Sequence, residues 1–440
     1  MDTDITPTII NAFSKNYNSN RQNKVIENSI VENGLQKSCI NHQIIKENPP
    51  VFSIELPDSK RYNQKDNSKC WIYSGLNFIK YNMADNLNIK PTQFELSNSF
   101  IAFFDKLEKS NNVYENIIQL DRTDWEHINT EEILKYCVNE GGHWQWFVAI
   151  VNKYGLVPYD QMPDSYESLQ SEELTRLFTS KVKKDCIELL AAKNNHGPVE
   201  LREIKKTFLQ ENYELLAKSL GEPKQFFDYE YKDKDEKIVI HNKITPLEFK
   251  QKFLTINLNE FISLGNLPMY NKEYYKVYRE KYLGNVYGES YVDFLNLPVD
   301  ELKELAIRQL KDGVPVYVGI DIKKFKSREH GILDRRLYDY QDSLGLDFLT
   351  KDESLNTQDI FPHHRMTLCG VNLTSEGKPN RWKVEDSYGS ERGINGYYVM
   401  NDNYFDDFVI QIIINKKYLT ERQSIALKQR AIEFDIRDPF

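Results

Sequence analysis

The sequence has 440 residues, 40% apolar and 28% charged, enough for one large domain with insertions or two to three ordinary ones around a sizeable core. Its formal net charge is −9, and no basic run concentrates positive charge, which argues against a general role on nucleic acid or anionic membrane. With 27 Tyr and 23 Phe, the core or an interface should be rich in aromatic rings.

Met1 to Asn48 is polar and mixed in charge, without the basic start, apolar stretch and cleavage site of a signal peptide. Helix-like polar segments alternate with loops as far as Asp160, interrupted by an apolar helix expected to start at Cys70 and to carry Trp71, Leu76, Phe78 and Ile79. From about Ser165 to Leu264 the pattern is strongly helical, with Leu201, Ile204, Phe208, Leu209, Leu215 and Leu216 near helical spacing. Thr245-Pro246-Leu247-Glu248 supplies an N-cap, a first-position proline and a capping-box glutamate. Asp300-Glu301 opens another helix through Leu302, Leu305, Ala306 and Leu310, which Gly313 ends.

Beyond Gly313 the character changes. Val314–Ile322 reads as a buried strand, followed by Met366–Leu373, Arg381–Val384, Tyr397–Met400 and Phe408–Ile414. The last of these is too short to cross a bilayer. A helical first part and a strand-rich last part predict an α+β architecture of two lobes, with a substrate cleft between them. The cysteines (Cys39, Cys70, Cys137, Cys186 and Cys369) are odd in number and scattered, so neither a disulfide framework nor a zinc knuckle is suggested, and a reducing compartment, the cytoplasm, is expected.

Four stretches could carry chemistry. In Asn63-Gln64-Lys65-Asp66-Asn67-Ser68-Lys69-Cys70-Trp71 a polar run ends where the helix begins. Cys70 would sit in the first turn, where free N–H groups, the macrodipole and neighbouring Lys69 favour a thiolate, and Gln64 could donate to an oxyanion. On local context alone, a cysteine beside a tryptophan is more often a buried small hydrophobe. His364 opens the apolar stretch His364-Arg365-Met366, where a general base would be held rigidly at a cleft; His363 reads as a surface histidine, and no other His stands at metal-ligand spacing. Asp386, in Trp382-Lys383-Val384-Glu385-Asp386-Ser387-Tyr388-Gly389, could orient His364, although Asp before Ser near Gly is also ordinary turn chemistry. Gly141-Gly142 could let a substrate main chain approach, or simply make a turn.

Together these stretches resemble the bleomycin hydrolase and aminopeptidase C family of papain-like cysteine peptidases. The family's Gln…Gly-Arg-Cys-Trp is similar to Gln64…Ser68-Lys69-Cys70-Trp71, its His-Ala-Met to His364-Arg365-Met366, and its Trp-Lys-Val-Glu-Asn-Ser-Trp-Gly to Trp382–Gly389. The resemblance extends over the whole chain. It implies a two-lobed papain-like fold in one domain, 1–440, with a helical catalytic-Cys lobe at about 60–160, a helical insertion at about 161–280, a strand-rich His lobe at about 281–425 and a C-terminal arm at 426–440. Cys70 would be the nucleophile, His364 the proton shuttle, Asp386 its orienter and Gln64 an oxyanion donor. Gly141 and Gly142 would contact the substrate main chain.

The resemblance further implies peptide substrates, no cofactor, no metal and a homo-hexameric ring, with no nucleic-acid or membrane partner. Relatives run a C-terminal arm into the cleft to meet the substrate's amino group, which makes Phe440 an expected substrate contact and N-terminal residue removal the expected activity. Two departures are visible: the family's triad Asn is Asp386 and the following Trp is Tyr388. The tail Arg437-Asp438-Pro439-Phe440 looks short, so an endopeptidase of the same family is the alternative expectation, and a non-cleaving ring-forming binding protein a further one.

Overall fold

Helix Cys70–Asn86 has 14 of its 17 residues buried, as expected of a helix enclosed by other elements rather than lying on a surface. The computed structural model that shows this describes residues 3–120, 128–135, 137–280, 284–289 and 291–434. Asn98–Gln119 and Trp144–Tyr154 pack against this helix, and Glu172–Ala192 and Pro198–Leu220 pack in turn against Asn98–Gln119. Their inward side chains, Phe78, Phe103, Trp144, Phe147, Phe178 and Leu216 among them, make the first of two cores.

The second core lies on a mixed sheet, twelve-stranded among the described residues. Its central strands are Phe261–Gly265, Val409–Asn415, Val316–Ile320, His364–Leu373, Pro379–Glu385 and Tyr397–Asn401, in that spatial order. Helix Val299–Lys311 covers it with Leu302, Leu305, Ala306 and Leu310, and Gly313 follows at φ +73°, the left-handed turn that terminates such a helix. Two cores, one helical and one on a sheet, make the α+β, two-lobed architecture expected from the sequence.

One buried ion pair fastens the lobes. Lys80, from helix Cys70–Asn86, donates to Glu385 at the end of strand Pro379–Glu385 (2.9 Å), and both side chains are wholly buried. The Ser59 and Tyr81 hydroxyls also donate to Glu385, and the Lys60 carbonyl and Asn77 Oδ1 also accept from Lys80. Every polar atom of the pair is thereby matched, which burial of charge requires.

Several expectations shift. The stretch Ser165–Leu264 contains the hairpin Phe227–Lys232 and Ile238–Ile244 and the sheet strand Phe261–Gly265, so the insertion is not purely helical. Phe227 and Tyr229 point inward onto Phe249, a period-two signal that the charged run Lys232–Lys237 obscured. The capping box at Thr245 and Glu248 forms as expected. Phe408 ends helix Asp402–Phe408 rather than starting a strand, which runs Val409–Asn415. Helix Glu421–Leu427 leads into the C-terminal arm, where Ile432–Phe434 adds to the sheet edge beside Val277–Glu280. Phe440 and the Arg437–Phe440 tail lie outside the described residues.

Candidate active site

Cys70 opens its helix. The Asn67 side chain accepts the Lys69 N–H (3.0 Å), and the Lys69 carbonyl accepts from Ile72 (2.9 Å), so the polar loop is pinned into the first turn. The free N–H groups of that turn face the sulfur's end of the helix. Lys69 itself does not serve as expected: its buried ammonium donates to the Ser168 carbonyl, near Glu140, and burial holds its pKa down to about 8.

From the other lobe, His364 begins strand His364–Leu373, and Asp386 directly follows strand Pro379–Glu385. These neighbouring antiparallel strands bring the two side chains together, His364 Nε2 lying 2.8 Å from Asp386 Oδ1. A carboxylate can only accept, so Nε2 carries a proton and Nδ1 is left to exchange one with Cys70. Asp386 Oδ1 also accepts the Ser387 N–H (2.8 Å), which fixes the carboxylate.

All three groups are buried, and their protonation is set mutually. Burial pushes the Cys70 thiol up, but the charge of His364, its hydrogen bond to the sulfur and the charge of Arg365 outweigh it, and the net shift is downward. Burial pulls His364 down, whereas Asp386 and Cys70 raise it to about 9. Asp386 is held below the usual range: burial opposes this, and the charge of His364 and its hydrogen bond prevail. The favoured state is therefore thiolate and imidazolium. By contrast, burial pushes the thiols of Cys137, Cys186 and Cys369 upward.

Gln64 joins this group through both ends of its amide. Oε1 accepts from Ser387 Oγ, and Nε2 donates to the Asn67 carbonyl (2.8 Å), with the Tyr388 hydroxyl at a long 3.4 Å. The second amide proton is thus weakly held, and an oxyanion could take it. Tyr388 stacks on the His364 ring at 5.8 Å and 19°.

Gly142 packs against Trp71, the residue that follows the nucleophile. A Cβ there would lie 2.3 Å from the Trp71 indole, so the residue is glycine because Trp71 packs against it. Trp71 Nε1 donates to the Glu140 carbonyl (2.7 Å), and the Gly141 carbonyl accepts from Lys109 (2.8 Å). His363 lies mostly against Asp321 and the Phe361 carbonyl rather than on open surface. Among the described residues no three His, Cys, Asp or Glu side chains cluster as metal ligands would.

The sequence reading assigned no role to Arg365 and Tyr317, which lie near Cys70, or to His143, which lies near Arg365. Arg365 had a usable signal, a charged residue inside an apolar strand. The other two look like ordinary core aromatics until the lobes are assembled.

A thiolate on one lobe, paired with an imidazolium that a carboxylate orients on the other, defines a cysteine peptidase of papain-like fold. The chain belongs to the Peptidase C1-like family, which it matches over residues 4–440. It is 33% identical to aminopeptidase C of Listeria monocytogenes, covering 100% of this chain and 99% of that protein. Aminopeptidase G of Lactobacillus delbrueckii subsp. lactis is 33% identical over 98% of each chain. Among solved structures, PepW from Lactobacillus rhamnosis HN001 superposes with a TM-score of 0.95 at 34% identity, over 100% of this chain and 99% of that one.

Proposed function

We propose that this peptidase removes N-terminal residues from peptides through an acyl-enzyme on Cys70. The observation that carries the chemistry is the His364–Asp386 contact of 2.8 Å facing a cysteine at a helix start. The exopeptidase character rests on full-length similarity to proteins named aminopeptidases, which does not favour the endopeptidase or non-cleaving alternatives.

In this mechanism the Cys70 thiolate attacks the scissile carbonyl, and the carbonyl electron pair moves onto oxygen. The oxyanion is met by the N–H groups of the first helical turn and by Gln64 Nε2, which exchanges its long contact with Tyr388 for a charged acceptor. His364 Nδ1 then gives its proton to the departing amine. Water, deprotonated by the same nitrogen, attacks the thioester, and collapse returns thiolate and imidazolium. Asp386 keeps the ring in one orientation throughout. The main chain at Gly141–Gly142 lies beside Trp71 and is the expected partner for the substrate backbone.

The test is a paired hydrolysis assay with free-amino and N-blocked versions of one fluorogenic peptide, and Cys70→Ala as control. Cleavage of the free-amino peptide alone supports the proposal; equal cleavage of the blocked peptide would make the enzyme an endopeptidase, and activity surviving in Cys70→Ala would remove Cys70 from the mechanism.

A homo-oligomer, as the hexameric ring implied by the family resemblance, and a cytoplasmic location belong to the same reading. Helices Pro7–Ser19 and Arg21–Asn33 bury no side chain within the chain, yet carry exposed Ile10, Phe13, Val25 and Val31, a surface that another copy would cover. Five buried free thiols suit a reducing compartment.

A further inference from the structure

Beyond the charge by which it lowers Cys70, the guanidinium of Arg365 has no assigned role in the reaction just described. Successive strand residues project to opposite faces, so it diverges from His364 and lies over Gly319, its directly opposed residue on strand Val316–Ile320. A Cβ at position 319 would come within 3.5 Å of Arg365 Cζ and 3.2 Å of Gln411 Oε1. The guanidinium therefore packs over Gly319 at ordinary contact distance.

Arg365 is 7% exposed, and a guanidinium so enclosed ordinarily has a carboxylate partner. Among the described residues none is within ion-pairing distance. Its Nη1 donates to the carbonyls of Pro362 and His364, and its Nε is buried with no partner at all. Two further polar atoms nearby are in the same condition. The Tyr317 hydroxyl faces both the guanidinium and Cys70 without reaching hydrogen-bond geometry, and His143 Nδ1 is buried and unpartnered. Burial, with Arg365 and Lys109 as positive neighbours, holds His143 down to about 3, so this imidazole is neutral. Lys109 is already paired with Asp105 at 2.7 Å.

A fixed cation and a hydroxyl therefore lie near the reacting sulfur, with an imidazole nitrogen near the cation, and each of the three keeps one buried polar atom without a partner. A carboxylate is the group that satisfies all three. Which half of a peptide would bring it follows from the chemistry. His364 protonates the departing amine, so Asp386 and Tyr388, around that ring, border the leaving half. His143 directly follows Gly142, which packs on Trp71 beside the nucleophile, and on that placement we assign it to the half retained on sulfur.

We propose that Arg365, with Tyr317 and His143, forms a subsite for the carboxylate of an aspartate or glutamate side chain on the acyl side of the scissile bond. This deepens the peptidase reading above and rests on Cys70 as the nucleophile.

The experiment compares kcat/KM for matched fluorogenic peptides bearing Glu, Gln or Lys either at the residue whose carbonyl is attacked or at the one before it. At one of those positions Glu should exceed Gln by about tenfold or more, the usual scale of a charge-assisted contact, with Lys poorest. In Arg365→Met that ratio should fall to about one, and the milder Tyr317→Phe should lower it while leaving the fold intact by circular dichroism. A wild-type enzyme indifferent to Glu and Gln at both positions, or a ratio unchanged in Arg365→Met, would overturn the subsite. So would an Arg365→Met enzyme that slows Cys70 alkylation by neutral iodoacetamide and cleavage of all peptides alike, because Arg365 would then act only on the thiolate. Failure of the wild-type enzyme to cleave any peptide, with Cys70 alkylated no faster than a free thiol, would remove the nucleophile and the subsite with it.

Discussion

An amide in place of Asp386 would keep an acceptor for His364 Nε2 and delete its charge. In the native protein that charge, together with Cys70, overcomes burial and raises His364 to about 9. A raised imidazole pKa means that the ion pair is complete below it and is lost as pH rises through it. Asp386→Asn should therefore remain active and lose activity at lower pH than wild type, its alkaline limb displaced by roughly one pH unit. The check is kcat/KM against pH for both enzymes. An unmoved limb would mean that Asp386 orients the ring without tuning it. At this scale the sequence was informative where function is local. A cysteine after a polar run and a histidine entering an apolar strand disclose their settings through their neighbours. Lys69 was misjudged because adjacency in sequence was taken for adjacency to sulfur, whereas its side chain reaches the Ser168 carbonyl.

Among the elements, helix Cys70–Asn86 and strand Pro379–Glu385 matter most, since one presents the nucleophile and the other leads into Asp386. Lys80 and Glu385 join them in a setting with no access to water. Removing one partner would strand a buried charge, so Lys80→Met should cost about 3–5 kcal/mol, whereas Lys80→Met combined with Glu385→Leu should recover much of that loss. Urea unfolding of the two variants measures the difference, and equal stability of the single and double variants would contradict it. The sequence showed this helix and strand through apolar patterning, but not their pairing, because nothing local to residue 80 specifies a partner 305 positions away. The hairpin Phe227–Ile244 escaped notice for another reason: its apolar residues alternate on one face only, and its turn is crowded with charge.

For the whole molecule, the exposed apolar residues of the N-terminal helices set the expectation for assembly. Val31 is 80% exposed and Phe13 62% exposed, values that suit an interface between copies. Deleting residues 1–34 should shift the particle to a smaller species in analytical ultracentrifugation while the peptidase fold persists. A full-length protein that already sediments as a monomer would refute the ring. The two-lobed plan was foreseeable from the change of character after Gly313; the way the lobes close on each other was not, because it depends on contacts between residues far apart in the chain.

That closure has a thermodynamic corollary. The thiolate belongs to one lobe and the imidazolium to the other, so the charge pair that prepares the enzyme for attack is also a clasp across the joint. Titrating either partner, or capping the sulfur with a neutral alkyl group, unhooks the clasp. Catalytic competence and the cohesion of the two halves are thus linked functions of a single proton's position.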